Sequence, residues 1–337
     1  MKKLSFFSIA AFICIFAGCS VDSGGYYEDP KLKMVQIPPE TEGLPPFKFM
    51  MSSPNNEADR NMLREYVQRE VTFSAGFRMS ETLITQAQYR SVTGLNPSWF
   101  QGSLQILEGV DTDNLPVENV SWYNAVDFCN RLSTLAGLVP AYDINTNAKD
   151  PNNLNTNSGD PKYTIKLKPG TNGYRLPTEA QWEYACRAGT TTPFNTGPDI
   201  TTDQANYNGT PYDPNTPAGL YRGRSTEVYD FDPNAWGLYD MHGNLYEWCW
   251  DWIYNDATEQ GFAAPVGYIN YYKIAPVPDI DPIGLTQGER RVERGGSWNH
   301  WASRIRSAWR ERARPERKES DLGFRVVLPL EGEVWKQ

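Results

Sequence analysis

The stretch Arg291–Arg312, RVERGGSWNHWASRIRSAWRER, concentrates the residues best suited to chemistry. Ser297 and His300 stand three apart, so an imidazole could act as base for a serine hydroxyl. Such a nucleophile also needs an acid to orient the base, and none is identifiable nearby in the sequence. Trp298 and, upstream, Tyr246 would wall the cleft. Gly295 and Gly296 let backbone approach closely. His242 is the only other histidine. A three-histidine metal site is therefore excluded, while a mixed site of two histidines and a carboxylate stays open. Cys129, Cys186 and Cys249 fall on helix faces or beside Trp248 and Trp250, with no CxxC pair. Buried thiols are the expectation, and whether two of them form a disulfide is left open.

The arginines of this stretch have two readings. As a strand, SRIRSAWRERAR would put Arg304, Arg306, Arg310, Arg312 and Arg314 on one face. As a helix it would align Arg306, Arg310 and Arg314. Either stripe could grip an anionic ligand or acidic partner. The expected use is pairing with the protein's own excess Asp and Glu.

Several elements must position these residues. KMVQIPP reads as a first strand. VTFSAGFRMSETLITQAQYRSVTG reads as a strand leading into a short helix, with Ser80 or Thr85 as N-cap. PVENVSWYNAVDFCNRLSTLAG is an extended run, then a helix with Ala125, Phe128, Cys129 and Leu132 at helical spacing. In YRLPTEAQWEYACRAG, Thr178 and Gln181 form a capping box, and Trp182, Ala185 and Cys186 make the apolar face. Residues 143–161, rich in Asn, Asp, Pro and Gly, read as a surface hairpin or insertion. Residues 254–290 form a second variable region whose GYINYYKI packs as a peripheral loop or lines a partner face. Short helices among short strands indicate an α+β fold with much irregular structure.

The first residues, MKKLSFFSIAAFICIFAGCS, have a basic start and an apolar run too short to span a membrane. Phe16-Ala17-Gly18-Cys19 reads as a lipobox that would lipidate Cys19. The expected organisation is a signal peptide over 1–18, a lipid-anchored tether over 19–34, one domain over 35–330 and a tail over 331–337. The expected location is the bacterial cell envelope, on the membrane through Cys19. The formal net charge is −9, and losing the leader's lysines makes it more negative. Nucleic acid is excluded as a partner because phosphate binding needs a basic footprint. The 11 Trp, 19 Tyr, 27 Gly and 25 Pro indicate a loop-rich fold cored by aromatics.

Six segments appear in a telling order: ETLITQAQYRSVTGLNPS, LPVENVSWYNAVDFCNRLS, GYRLPTEAQWEYACRAGT, NAWGLYDMHGNLYEWCWDW, RGGSWNHWASRIRSAWR and LGFRVV. Over about residues 35–330 they resemble the formylglycine-generating enzyme, or sulfatase-modifying factor, family. The resemblance implies a single-domain variant of the C-type lectin fold. It also implies oxidation of a substrate cysteine by copper held on two thiolates, which suit Cu(I). Those cysteines would stand three and eight positions after Ser297, where this chain has His300 and Ile305. Copper is therefore not expected. Tyr246 stands where the enzymes carry a tryptophan. The family's calcium loop, carried over, implies ligands at Asp240 and Glu247 by carboxylate and at Gly243 and Leu245 by carbonyl. A capped turn with Glu247 in a salt bridge is the competing reading. A second calcium site near Asn206 and Tyr207 lacks its later acidic ligand.

Two functions follow. One is an exported, non-oxidising lipoprotein serving as a binding or scaffold module for an envelope protein. The other is a divergent enzyme of the family, an oxidoreductase on protein cysteine or another reaction in the Ser297, Trp298, His300 and Tyr246 cleft.

Overall fold

The computed structural model describes residues 32–61, 65, 67–101, 109–211, 218–253 and 279–335. The expected leader, Cys19, most of the tether and the GYINYYKI segment lie outside these residues. Twelve strands and three α-helices are defined within them. Strand β1 (Met34–Ile37) is the expected first strand. With β4 (Phe77–Ser80) and β12 (Val327–Pro329) it forms a three-stranded sheet in which β4 is central. A second three-stranded sheet runs β2 (Phe47–Met51), β3 (Arg69–Phe73), β8 (Asp279–Ile280).

Three helices start where local chemistry dictates. Helix α1 (Gln86–Thr93) is capped by Thr85 and not by Ser80. The Gln88 amide donates to the Thr85 hydroxyl at 3.2 Å, and the Thr85 amide donates to Gln88 at 2.9 Å. Helix α2 (Trp122–Leu135) begins at Ser121, which Asn124 caps in the same reciprocal way. Helix α3 (Glu179–Arg187) carries the expected Thr178–Gln181 box. Its burial departs from the amphipathic expectation, because every residue of α3 is buried, Glu179, Glu183 and Arg187 included. The polar face survives inside because guanidinium groups meet it there, as described below.

The 143–161 segment is part strand. β5 (Tyr142–Lys149) pairs antiparallel with β6 (Tyr163–Leu167). The loop between is not all surface: Asp150, Asn153 and Asn155 are buried. Asn side chains accept amides two residues on (Asn155 onto Asn153, Asn157 onto Asn155), local bonds that replace a ladder. The segment expected as a tail is packed as far as Trp335, whose ring lies 3.8 Å from the Arg175 guanidinium.

The site rests on a four-stranded sheet in the order β10 (Glu311–Ala313), β9 (Arg290–Arg294), β7 (Tyr246–Ile253), β11 (Leu322–Gly323). Register sets its two faces. Trp248 opposes Glu293, and Glu293 opposes Glu311. Glu247 opposes Arg294 on the other face. Because side chains alternate along a strand, Tyr246, Trp248, Glu293 and Glu311 share one face and Glu247 and Arg294 the other. The aromatic core expected from composition is present, with Trp122, Trp182 and Trp248 fully buried. The indole N–H groups of these three find acceptors: Cys249 O, Glu247 and Val120 O respectively.

Candidate functional site

The Gly295-Gly296 turn takes φ of +88° and +72°, backbone that side chains resist. A Cβ on Gly296 would lie 2.4 Å from Ile305 Cγ2, so the turn sits directly on Ile305. The turn delivers Ser297, which is fully buried. Its hydroxyl donates to Asp321 Oδ2 at 2.8 Å and lies 2.8 Å from His300 Nδ1. One hydroxyl hydrogen cannot serve both neighbours. With it on Asp321, His300 carries its proton on Nδ1 and donates to the serine. Burial, then the charge of Arg304, lowers the His300 pKa to about 4, so the ring is neutral near pH 7.

Asp321 is the acid that sequence reasoning did not find, 24 residues beyond Ser297. It is brought in beside the first residue of β11, where the Tyr246 amide donates to the Asp321 carbonyl at 2.8 Å. The order is not that of a nucleophilic triad, in which the acid holds the far nitrogen of the base. Here the acid holds the serine. The arrangement ties the turn to β11 and leaves the serine proton committed.

Of the four expected cleft residues, three converge. The Tyr246 ring meets the His300 ring edge to face at 5.0 Å. Trp298 departs: it packs with Leu83, Phe100, Leu115 and Leu245, and its indole donates to Ser320 O at 3.3 Å. Ile305 is fully buried among Phe194, Ile200, Ala205 and Tyr207. The donor set does not fit copper. One position offers an imidazole bonded to serine, and the other offers only hydrocarbon.

His242 is spent on structure. Nδ1 bonds to the Ile305 carbonyl at 2.7 Å, and Nε2 accepts the Asn195 amide at 3.0 Å. Burial lowers its pKa to about 4. With both nitrogens engaged, the mixed site of two histidines and a carboxylate does not form. Cys129, Cys186 and Cys249 are buried and free. Burial raises all three thiols, Cys186 to about 12, which removes the thiolate that redox or nucleophilic work needs.

The loop expected to hold calcium divides. Asp240 Oδ2 is buried with no hydrogen-bonding partner. Burial, reinforced by Asp230 and Glu247, raises this carboxyl to about 7 against the pull of Arg325, and a hard cation would relieve it. Glu247 fits poorly. Arg325 donates to both of its oxygens at 2.6 and 2.8 Å, and Trp182 Nε1 donates to one at 2.8 Å. A cation at Glu247 would face a guanidinium already in place.

The arginine stripe is dispersed. Residues 302–304 form a short 3-10 turn and only Glu311–Ala313 is strand, so neither spacing rule applies. Arg306 enters the Glu57/Glu65 pair and donates to Asp59 O at 2.7 Å. Arg310 meets Glu179 with two donors. Arg294 binds Glu183 and the carbonyls of Ser307 and Ala308. Arg314 makes an exposed contact with Asp160 at 3.4 Å. The pairing reading holds for these residues. Arg304 differs, resting 5.6 Å from the Trp309 ring.

Comparison with known proteins gives the family. The model of the sulfatase-modifying factor enzyme 1-like domain matches residues 29–330. The chain belongs to the sulfatase-modifying factor family. A relative in this family, the chaperone protein LppX of Paenibacillus barcinonensis, is 37% identical over 244 residues, covering 67% of this chain and 83% of that one. The formylglycine-generating enzyme of Bos taurus is 34% identical over 173 residues. That match covers 48% of this chain and 41% of the bovine protein, so the likeness spans less than half of it. Among solved structures, Treponema denticola variable protein 1 superposes with a TM-score of 0.66 at 29% identity, covering 88% of this chain and 95% of that one. PvdO from Pseudomonas aeruginosa shares the fold, with a TM-score of 0.55 at 21% identity, covering 92% and 100%. The mixed architecture with few helices and much irregular structure is thus that of the sulfatase-modifying factor fold. No helix among the described residues is long and apolar enough to cross a membrane.

Proposed function

We propose that this protein is a non-oxidising member of the sulfatase-modifying factor family. It is held on the bacterial cell envelope through a lipidated Cys19 and binds another envelope protein. The observation that carries this reading is the pair of positions that would hold copper. His300 is bonded to Ser297, and Ile305 is enclosed in an apolar cluster. A relative named as a chaperone, and another named as a variable protein, agree with a scaffold used for binding.

The test is direct. Purified protein is incubated with copper, oxygen, reductant and a Cys-X-Pro-X-Arg peptide, and peptide mass is followed. An unchanged mass is expected, and a loss matching cysteine-to-aldehyde conversion overturns the reading. Crosslinking in the envelope followed by pull-down should recover a specific partner. Labelling with a palmitate analogue should mark the wild type and not Cys19→Ala.

A structural calcium ion held by Asp240, Glu247 and the carbonyls of Gly243 and Leu245 is part of the same proposal. Its support is the orphaned Asp240 oxygen, and the Arg325–Glu247 pair stands against the full donor set. Calcium at a hundred times its dissociation constant would stabilise the fold by about 2.7 kcal/mol. Chelator should therefore lower the melting temperature. No shift, together with no calcium by elemental analysis, removes this ion.

A further inference from the structure

The face of the β7–β9–β10 sheet that carries Trp248 holds a group of acids to which nothing above gives a use. Glu293 lies directly opposite Glu311 across the β9–β10 ladder. Like charges facing each other in this way repel. Glu293 is only 4% exposed, and its Oε1 is buried without a hydrogen-bonding partner. On the same face the Tyr246 hydroxyl is also buried and unpartnered, its residue likewise 4% exposed. Burial, then Glu311, pushes the Glu293 carboxyl well above its ordinary range, with Asp321 acting in the same direction. Burial raises the Tyr246 hydroxyl well above its ordinary range, and Glu311, Glu293 and Asp321 add to the rise against Arg304.

Two cations, Arg317 and Arg290, act against the rise at Glu293 without closing a bond on its orphaned oxygen. Arg317 is half exposed and bonds Glu319 at 2.8 Å. Arg304 rests on the Trp309 ring at 5.6 Å. The remaining wall is the Ser297–His300–Asp321 network. Its imidazole is neutral near pH 7 and adds no positive charge. His300 and Asp321 keep 23% and 18% of their side-chain surface exposed, so this network reaches the protein surface.

A buried carboxylate beside an unpartnered phenol, facing further acids, selects a ligand with positive charge and N–H donors. The described residues hold no cluster of His, Cys, Asp or Glu arranged for a metal ion. The Tyr246 ring favours an organic cation instead. We propose that this pocket is the recognition site of the binding module and takes the ammonium or guanidinium end of a lysine or arginine side chain. This rests on the binding-module reading above and names its ligand chemistry.

The probes are N-acetyl-arginine amide and N-acetyl-lysine amide, with neutral N-acetyl-glutamine amide as control. Titration calorimetry and melting curves are run at pH 8 and matched ionic strength on the wild type, Glu293→Gln and Tyr246→Phe. The wild type should bind at least one cationic probe and melt higher with it, and should ignore the control. Glu293→Gln should melt above the wild type at pH 8 without ligand, because no buried carboxyl is then driven to ionise. It should also bind the cation roughly tenfold or more weakly. Tyr246→Phe should weaken binding less. Equal response of wild type to cationic and neutral probes, or full cation binding by Glu293→Gln, overturns the proposal. Crosslinking with Glu293→Gln separates the two levels. A partner captured as well as by the wild type leaves the binding module standing and removes the cation pocket. Capture lost together with cation binding supports both.

Discussion

Glu293 and Arg294 are neighbours on one strand and live in opposite worlds. Arg294 points to the α3 side, where three buried carboxylates meet counter-charges: Glu183 with Arg187 and Arg294, Glu179 with Arg310, Glu247 with Arg325. Glu293 points to the other side, where carboxylates gather and a buried oxygen and a buried phenol have no partners. Both residues are buried. Burial alone therefore does not separate structural charge from charge held ready. What separates them is whether the donors and acceptors close on each other. A closed network contributes to a unique fold, and an open one keeps free energy in reserve for a ligand.

The largest effect should come from breaking the closed side. Arg294→Met leaves Glu183 without one of its two cations and strips bonds from the carbonyls of Ser307 and Ala308. Removing one partner of a buried pair costs about 3–5 kcal/mol, so the urea midpoint should fall sharply or the variant should fail to fold. A drop below about 1 kcal/mol would show that Arg294 is dispensable and that the contrast with Glu293 is wrong.

Next comes pH. Glu118 is another buried carboxyl, whose Oε1 accepts the Phe100 amide at 2.9 Å and whose Oε2 has no partner. Burial raises its pKa to about 8, with Asp321 adding to the rise. The folded state thus holds this proton more tightly than the unfolded chain does. Stability from Glu118 is fully present below the ordinary carboxylate range and is lost as pH rises toward 8. The difference in stability between Glu118→Gln and the wild type should grow from pH 5 to pH 8. A difference that stays constant would place Glu118 with the satisfied charges.

Ser297→Ala should be milder. It unties His300 and Asp321 from the turn, for about 1–3 kcal/mol by urea denaturation, and should weaken cation binding if that network is a wall of the pocket. The smallest effect is at Arg314→Ala, whose contact with Asp160 is solvent-exposed at 46% and 18% of side-chain surface. No measurable change in melting is expected. A large loss there would mean that surface and buried pairs do not follow separate rules in this molecule.

Much of the frame was legible because it is local. Thr178 and Gln181 interact over three residues, and so do Thr85 and Gln88, so their caps can be read from spacing. The six ordered segments pointed to the family before any contact was known. The site was legible only at its centre, Ser297, His300 and Tyr246. Its decisive charges come from far along the chain. Arg306 finds Glu57 249 residues away, and Arg325 finds Glu247 78 residues away. Glu293 acquires its character from strand register, which sets it against Glu311, and no local pattern gives that pairing. Asp321 stood immediately before LGFRVV, and strand β11 there was the clue to its reach into the turn. Trp298 misled because it is adjacent in sequence to Ser297 but faces the other way.

The shared strand β4 has a consequence for engineering. β1 and β12 flank it, so the first and last strands of the domain run side by side with β4 between them. From strand spacing, Met34 and Pro329 lie within roughly 15 Å of each other. A short Gly/Ser bridge could join them, and the chain could be reopened at the exposed Asn157–Gly159 turn to give a circular permutant. The domain is in effect a cassette whose two leads leave the same small sheet, one at each end of β4. It can be spliced into a host loop, with the four-stranded sheet and its acidic face carried along as cargo.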